Sequence, residues 1–261
     1  MQSAPPARKL LLVPLRPGPL LLALLVALAA LSSPAISHRA FAAGAYTGGA
    51  HGYDVSWPQC SAPLPAQPYD FGIAGVTGGR AFRNNICLAA EYAWASRAPG
   101  SPTLYMNLNY PAGTTGGNGM TGPAGNCSKR DKACQAYNYG YNAAKDAYLY
   151  AASQGASGAV WWLDIETGNT WSKTTDLNAR VIQGAIDYLR PNATVGIYST
   201  RYQWGQIAGG FSPGLPTWIA GASNLSGAQN LCLNQLAWFA GGSPWLTQYP
   251  VNGFTADYAC G

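Results

Sequence analysis

Histidine and charged residues are scarce in this 261-residue sequence. It contains two histidines, and Asp, Glu, Lys and Arg together make up 10% of the chain. His38 falls in an N-terminal segment that we expect to be removed. A Ser-His-Asp or Cys-His mechanism, or a histidine-based zinc site, would therefore have to use His51. His51 lies in a Gly-rich stretch before the first predicted strand, so we expect a surface position or at most a contact at the rim of a site. If the protein is an enzyme, carboxylates are its natural acid and base groups.

Fingerprints of nucleotide cofactors and of cysteine metal sites are also missing. The Gly-rich stretches lack the strand–Gly-x-Gly-x-x-Gly–helix context of a dinucleotide site, and there is no phosphate-binding loop. No Cys-x-x-Cys occurs. We predict no cofactor and no metal.

The excess of basic residues lies mostly at the N-terminus. The formal net charge is +5, but Arg8, Lys9, Arg16 and Arg39 all precede residue 43. Beyond that point 11 basic residues nearly balance 10 acidic ones, which leaves about +1. With no basic stripe or basic helix, nothing indicates a nucleic-acid partner.

Long apolar runs are absent except at the start of the chain. Basic residues there precede a run of 12 apolar residues, Leu20–Leu31, which has the length of a signal-peptide core and is short for a membrane span. The small-residue site Ala40-Phe41-Ala42 follows. We predict a signal peptide over residues 1–42 and a secreted protein of residues 43–261, with no membrane contact after cleavage. An uncleaved membrane anchor is the alternative.

Six cysteines lie in the predicted secreted part, and an even number in an exported chain indicates disulfides. The sequence does not determine the pairing among 15 possibilities. Proximity along the chain favours Cys60–Cys87, Cys127–Cys134 and Cys232–Cys260.

Strand and helix patterns alternate along the chain, which indicates an α/β fold with a mainly parallel sheet. Eight strand-like runs in about 210 residues fit a compact (β/α)8 TIM-like barrel with some reduced helices, stapled by disulfides. We find no internal repeat or linker and predict one domain. The predicted strands are 52–56, 71–77, 103–108, 158–166, 194–199, 216–220, 245–249 and 254–258. The predicted helices are 85–96, 133–153, 176–189 and 202–208, with a long loop over 109–130 and an irregular or briefly helical segment over 224–233.

The stretch Trp161-Trp162-Leu163-Asp164-Ile165-Glu166 carries the main candidate site. On a strand, Trp162, Asp164 and Glu166 point to one face. The strand rise separates the two acids by about 6.6 Å at the backbone. Paired glycosidase carboxylates lie about 5 to 9.5 Å apart, so the spacing fits a glycosidase but does not choose between retaining and inverting chemistry. Two ordinary acids at a solvated strand end are the alternative.

Other acids fall near predicted strand ends as well. Asp54 lies near the end of the first strand and Asp257 near the end of the last, and barrel closure brings those two strands together. Because barrel enzymes carry their chemistry at the C-terminal ends of the strands, we expect Asp54, Asp164, Glu166 and Asp257 to converge on one mouth. This convergence favours a site over a solvated strand end.

Several motifs together resemble the glycoside hydrolase family 25 lysozymes, and particularly the secreted family-25-like proteins of actinobacterial type. Gly52-Tyr53-Asp54-Val55-Ser56 with Gln59 resembles the opening strand of that family, and Leu163-Asp164-Ile165-Glu166 its central Asp-x-Glu strand. Later matches are Gly196-Ile197-Tyr198-Ser199 followed by Trp204, then Trp218-Ile219-Ala220, Gln248-Tyr249 and Gly253 to Asp257. These motifs cover most of the predicted secreted chain, and their order and spacing are more specific than any one of them.

The resemblance implies cleavage of the β-1,4 bond between N-acetylmuramic acid and N-acetylglucosamine in peptidoglycan. On that analogy Glu166 would be the general acid/base. Asp164 would orient the acetamido group of the substrate or stabilise an oxocarbenium-like transition state. Asp54 and Asp257 would line the floor. The further residues expected to bind substrate are Trp57, Trp162, Tyr198, Trp204 and Gln248.

Two stretches depart from the family pattern. Gly75-Val76-Thr77-Gly78-Gly79 replaces a charged run after strand two, and Tyr105-Met106-Asn107-Leu108-Asn109 replaces Tyr-His-Phe after strand three. Two alternatives therefore stay open: a barrel that binds glycan or cell wall without cleaving it, and a hydrolase of another polysaccharide. In each case we expect a polysaccharide partner and a monomer.

Overall fold

The structure is a computed structural model that describes residues 45–111 and 115–261. The predicted signal peptide and its cleavage site lie outside the described residues. Those that are described fall within one structural unit, Phe41–Gly261. Within the described ranges, none of the helices has the length and apolar composition needed to cross a bilayer.

Ten strands and six helices alternate along much of the described chain. The strands are β1 His51–Val55, β2 Phe71–Gly75, β3 Thr103–Asn107, β4 Thr121–Gly122, β5 Gly125–Asn126, β6 Val160–Asp164, β7 Thr194–Ser199, β8 Thr217–Ile219, β9 Pro244–Val251 and β10 Phe254–Ala259. The helices are α1 Leu88–Ala95, α2 Gly116–Met120, α3 Lys132–Ser153, α4 Thr175–Leu189, α5 Arg201–Ala208 and α6 Leu225–Leu233, with short 3-10 turns at Trp57–Gln59 and Gln235–Ala237.

Eight of these strands form a closed barrel, in the spatial order β1-β10-β9-β8-β7-β6-β3-β2. The two remaining strands, β4 and β5, pair with each other outside it. This confirms the predicted eight-stranded barrel with reduced helices.

The last strand runs against the direction expected in a fully parallel barrel. β10 is antiparallel to both of its neighbours, β9 and β1. Asn252 and Gly253 join β9 to β10, and both have positive φ values, of 50° and 84°. A two-residue Asn-Gly turn is a hairpin connection, whereas a parallel crossover needs about a dozen residues or more. The short connection therefore forces the reversal.

Alternation along the strands separates two apolar layers. In β6, Trp162 points into the barrel, where it packs with Ile73 and Trp218, while Trp161 and Leu163 belong to the outer core beneath the helices. Gly196 on β7 leaves the space that the Trp162 ring fills, since a Cβ there would lie 2.2 Å from the ring. The interior below the mouth is thus a packed core and not a channel.

Two segments are more ordered than the sequence suggests. The stretch predicted as a long loop, 109–130, contains α2 and the small hairpin of β4 and β5. The Gly-rich lead-in places Tyr46 in the barrel core, where its hydroxyl group hydrogen-bonds Thr103 and accepts from Trp162 Nε1 at 3.0 Å. The Gly-rich stretch before β1 is therefore attached to the barrel core through Tyr46.

All three predicted disulfides are confirmed. They are Cys60–Cys87, Cys127–Cys134 and Cys232–Cys260. The first ties the turn after β1 to the start of α1, the second closes the hairpin onto α3, and the third joins the end of α6 to the residue after β10. Each therefore links a loop or helix end to an element close to it in sequence.

Candidate active site

A polar cavity of about 230 Å³ opens at the carboxyl ends of the parallel strands. Three carboxylates line it: Asp54 from β1, Asp164 at the end of β6, and Glu166 just beyond β6. We call it the carboxylate cavity. Its other lining residues are Ser56, Pro58, Gln59, Tyr105, Tyr198, Trp218, Gln248 and Thr255. The structure therefore brings together three of the four acids expected at the mouth.

Asp164 is buried, and a side chain on the neighbouring strand holds it. Asn107 Nδ2 donates to Asp164 Oδ2. The Asn107 amide is itself oriented by Thr77, whose hydroxyl donates to Asn107 Oδ1 at 2.8 Å and accepts from Asn107 N at 2.8 Å. Asp164 Oδ1 has no hydrogen-bond partner among the described residues. Burial, and then the charges of Glu166 and Asp54, raise the pKa of Asp164 well above its usual range, while the Asn107 amide opposes that rise.

Glu166 is the more accessible of the two central acids, since its side chain is half-buried. Its backbone is anchored, because Trp171 Nε1 donates to Glu166 O at 2.8 Å and Asn169 N donates to it at 3.1 Å. Burial raises the pKa of Glu166, and a hydrogen bond from the Gln203 side chain partly offsets that rise. Glu166 thus combines a raised pKa with contact to the open part of the cavity.

Asp54 belongs to a hydrogen-bonded chain along the cavity wall. Tyr198 Oη donates to Gln248 Oε1 at 2.8 Å, and Gln248 Nε2 donates to Asp54 Oδ2 at 2.8 Å. Burial raises the pKa of Asp54 to about 6, whereas the bonds from Thr255 and Gln248 lower it. Gln248 and Tyr198 line the cavity as expected, but their polar atoms first serve to orient Asp54.

Asp257 does not lie at the mouth, and the reversed last strand is the reason. The carboxyl end of β10 points to the opposite end of the barrel, and Asp257 pairs with Gly52, whereas Thr255 pairs with Asp54. Asp257 is fully buried one layer below Asp54, where it accepts a hydrogen bond from Trp218 Nε1 at 2.8 Å. Burial and the neighbouring Asp54 raise its pKa well above the usual range. The expectation that it shares the floor of the open cavity is therefore corrected to a position within the core.

The predicted aromatic contacts are also corrected in part. Trp204 on α5 is buried in the outer core against Phe211 and Phe239, far from a position where it could stack on a ligand. Trp162 is fully buried beneath the cavity and does not line it. Trp57 is 45% exposed, and its sequence neighbours Ser56 and Pro58 line the cavity. Trp57 alone of the three is available to a ligand.

Seven residues of this site were not among the site residues expected from the sequence: Ser56, Pro58, Gln59, Tyr105, Asn107, Trp218 and Thr255. Asn107 orients Asp164, and Tyr105 and Trp218 contribute rings to the cavity wall, with their centroids 6.2 Å apart. Tyr105 and Asn107 share the inward face of β3, so the period-2 rule that located Asp164 and Glu166 could have found both. Trp218 was recognised as part of a strand but not as a cavity residue.

His51 and the cysteines take no part in the carboxylate cavity. His51 is the first residue of β1, whereas Asp54 lies near the carboxyl end of that strand. The His51 Nδ1 atom lies 3.4 Å from Tyr249 Oη, and the His51 ring is next to the Tyr258 ring. In the described part of the chain, the sole grouping of potential metal ligands is Cys60, Cys87 and Glu91. The Cys60–Cys87 disulfide occupies both sulfur atoms, so this group is not a metal site.

The fold and site define a class of protein: a closed α/β barrel with a carboxylate cluster at the carboxyl ends of its strands. Comparison with known proteins agrees with that class. Residues 132–238 match the family model described as lysozyme-like protein 1. That range contains Asp164 and Glu166 but neither Asp54 nor Gln248.

Curated relatives and solved structures extend the comparison. Two Dictyostelium discoideum proteins, named "Probable GH family 25 lysozyme 5" and "Probable GH family 25 lysozyme 4", are 38% and 32% identical over 97 and 108 residues. The matches cover 35% and 40% of this chain and 43% and 48% of those proteins, so the chain spans less than half the length of each.

The family 25 glycosyl hydrolase from Bacillus anthracis has the same fold, with a TM-score of 0.52 at 12% identity over 86% of this chain and 94% of that one. The CTP1L endolysin is similar at a TM-score of 0.51 and 13% identity, over 80% of this chain and 66% of that one. The resemblance to the glycoside hydrolase family 25 lysozymes, expected from the motifs, is confirmed by these matches.

Proposed function

We propose that the protein is a glycoside hydrolase that cleaves β-1,4 bonds of cell-wall peptidoglycan by carboxylate acid–base chemistry. The observation that carries the proposal is the convergence of Asp54, Asp164 and Glu166 on one cavity at the carboxyl ends of the strands. The relatives named as lysozymes support the same reaction class. A secreted location is consistent with three disulfides and the signal-like N-terminus, and we further propose a monomer that makes no membrane contact.

Glu166 is assigned the general acid. Its raised pKa keeps a proton available, and its half-buried position lets that proton reach the oxygen of the bond to be broken. As the bond breaks, the proton moves to the leaving sugar and positive charge develops at the anomeric carbon. Ionised Asp164 then stabilises that charge, or orients the acetamido group of the substrate for the same purpose. Water adds to the anomeric carbon in place of the leaving sugar and gives its proton to a carboxylate of the site, which completes the hydrolysis.

The two roles require opposite protonation states in neighbouring carboxyls. Interacting acids share their protons, so the site titrates as a group. Burial favours the neutral form of each one, and the Asn107 amide is the contact that favours the ionised form of Asp164. The Gln203 side chain makes the corresponding contact at Glu166, so the general-acid assignment rests on the half-buried position of Glu166 at the open part of the cavity.

The test compares wild-type protein with Glu166→Gln on purified peptidoglycan, measured by turbidity loss and by release of reducing ends. Because the amide cannot donate the proton, we expect the rate to fall by about 10²- to 10⁴-fold. Glu91→Gln is the matched control, since Glu91 is buried on α1 and does not line the carboxylate cavity, and it should retain turnover.

Unchanged hydrolysis by Glu166→Gln would overturn the assignment. If neither wild type nor Glu166→Gln releases reducing ends, but both cosediment with the wall, the protein is a glycan-binding barrel. If hydrolysis occurs on another polysaccharide and not on peptidoglycan, the acid–base assignment stands and the substrate is corrected.

A further inference from the structure

A second cavity, of about 590 Å³, lies on the same face of the barrel as the carboxylate cavity. Its lining comes from the loops after β2, β3 and β6 and from Tyr139 of α3, and it includes Arg80, Asn109 and Asn169. We call it the Arg80 cavity. Glu166 lines the first cavity and Gly168, two residues further along the same loop, lines the second. A polymer bound over Glu166 therefore has the Arg80 cavity within reach of its substituents.

Trp57 borders both cavities. Its sequence neighbours Ser56 and Pro58 line the carboxylate cavity. Gly79, which lines the Arg80 cavity, lies against the Trp57 indole, since a Cβ added to Gly79 would be 3.1 Å from Trp57 Nε1. With 45% of its side chain exposed, Trp57 offers an indole surface between the two. The Arg83 guanidinium group lies 5.9 Å from the centroid of the Trp57 ring, so a second cation lies next to this surface.

The Arg80 cavity is cationic. Arg80 is exposed, and in the described ranges its guanidinium group makes no hydrogen bond or ion pair. The positive charge of Arg80 lowers the pKa of the Tyr139 hydroxyl group, whereas burial raises it. No Asp or Glu occurs among the lining residues that the structure describes. The fixed charge of this cavity is therefore uncompensated and positive.

Amide and hydroxyl groups surround that charge. Asn109 is buried, with its Oδ1 accepting from Ala81 N at 3.1 Å, while its Nδ2 contacts Tyr139 Oη at 3.3 Å and Thr170 Oγ1 at 3.5 Å, which fixes this amide in the wall of the cavity. Asn169 adds a half-buried amide with no side-chain bond of its own among the described residues. A cation flanked by amides is suited to a ligand that carries both a carboxylate and peptide groups.

We propose that the Arg80 cavity binds the free carboxylate of a short peptide attached to the glycan substrate. The proposal rests on the proposed function, because the glycan places the peptide there. The cavity volume lies within the range of about 300 to 1,000 Å³ usual for small-ligand sites. The Arg80 fork pairs with the carboxylate, and the Asn169 amide pairs with the peptide backbone.

The test measures hydrolysis of two substrates made from one wall preparation: glycan strands that keep their peptides and strands freed of them by an amidase. Arg80→Gln should raise KM on the peptide-bearing strands by about 3- to 10-fold with kcat unchanged, because a partly exposed ion pair is lost. On the stripped strands KM should change by less than about 2-fold. About 0.5 M salt should reduce the difference, since exposed charges are screened, and Arg80→Lys should restore part of it.

Arg190→Gln is the charge-matched control, because Arg190 is exposed at the end of α4 and lines neither cavity. If Arg80→Gln changes KM equally on both substrates, or on neither, the proposal is overturned. It is also overturned if KM rises only on the stripped strands. The last result would mean that Arg80 contacts the sugar chain itself.

A binding measurement separates this inference from the proposed function. Soluble peptide-bearing glycan fragments are titrated calorimetrically into Glu166→Gln and into Glu166→Gln/Arg80→Gln. A weaker Kd in the double variant supports the Arg80 cavity even if the protein hydrolyses nothing. Equal Kd values reject it even if hydrolysis by the wild type is established.

Discussion

At the scale of single residues, the central contact is the one between Asn107 and Asp164. Asp164 is buried beside two other acids, and each of these features favours its neutral form. The Asn107 amide, oriented by the Thr77 hydroxyl, is the contact that favours the anion. The chemistry assigned to Asp164 therefore depends on a residue that does not itself line the cavity.

Replacing Asn107 should change both the rate and its pH dependence. Asn107→Ala removes a hydrogen bond to a charged group, for which we expect kcat to fall by about 10- to 100-fold. Because the pKa of Asp164 rises further without the amide, the acidic side of the pH–rate profile should move to higher pH. The measurement is kcat against pH for wild type and variant.

Thr77 and Asn192 provide the matched comparisons for that experiment. Thr77→Ser keeps the orienting hydroxyl group and should keep the wild-type profile, whereas Thr77→Val should shift it in the same direction as Asn107→Ala. Asn192→Ala removes an exposed amide that donates to Tyr188 O, away from the site, and should leave the profile unchanged. An Asn107→Ala profile that is lower at every pH but not shifted would contradict the positioning role.

The sequence predicts the direction of a side chain correctly where that direction depends on spacing along one strand. It does not predict contacts that depend on the pairing of two strands. Trp162, Asp164 and the other inward residues of β6 followed from the period-2 rule. Asn107 did not, because its role depends on the pairing of β3 with β6, which puts it opposite Asp164 in register. Trp204 was misplaced because proximity to a strand end in sequence did not show that α5 turns its face to the outer core.

At the scale of elements, the β9–β10 hairpin has the largest consequence for the site. Its Asn252-Gly253 turn is a recognised signal for antiparallel pairing. Applied to residues 251–254, that local signal is enough to predict a reversed last strand, and the reversal is what places Asp257 below Asp54. The alternation of helices and strands elsewhere predicts a mainly parallel sheet and does not identify which strand is reversed.

Helix α1 carries a buried acid that should make stability depend on pH. Glu91 accepts a hydrogen bond from Asn85 Nδ2 at 2.6 Å, and burial raises its pKa from 4.5 to about 7. The unfolded chain ionises first, so the stability that neutral Glu91 provides is fully present below pH 4.5 and is lost as the pH rises towards about 7. Other buried acids with raised pKa values act in the same direction.

Glu91→Gln isolates this contribution. The uncharged variant should lose less unfolding free energy than the wild type between pH 4.5 and about 7, and the difference should be constant outside that window. Urea unfolding at a series of pH values measures it, and the comparison below pH 4.5, where both side chains are neutral, serves as the internal control. Parallel curves across the whole range would show that Glu91 does not titrate as its burial requires.

At the scale of the whole molecule, the Cys232–Cys260 disulfide holds the closing strand in place. It joins the end of α6 to the residue after β10, the strand that completes the barrel beside β1. Because Asp54 on β1 is hydrogen-bonded by Gln248 of β9, the closure of the barrel also maintains the wall of the carboxylate cavity. The disulfide therefore supports the site as well as the fold.

Removing that disulfide should cost more stability than removing the hairpin disulfide. The cysteine pairs are 28 and 7 residues apart, for which chain entropy gives about 3.6 and about 2.4 kcal/mol respectively. Urea unfolding of Cys232→Ser/Cys260→Ser and Cys127→Ser/Cys134→Ser tests the order. A larger loss for the second pair would show that native contacts of the hairpin, and not loop closure, dominate.

The sequence by itself determined the eight-stranded barrel and the inward face of β6 that carries Asp164, and proximity along the chain favoured the disulfide pairing that the structure has. These features depend on hydrophobic periodicity, on cysteines close together in the chain and on residues two apart, all of which are local. The tertiary structure decided the depth of Asp257, the orientation of Asp164 by Asn107, and the cationic cavity at Arg80. Each of these depends on strands or loops that are distant in sequence and meet only when the barrel closes, because strand direction and register set which side chains face one another.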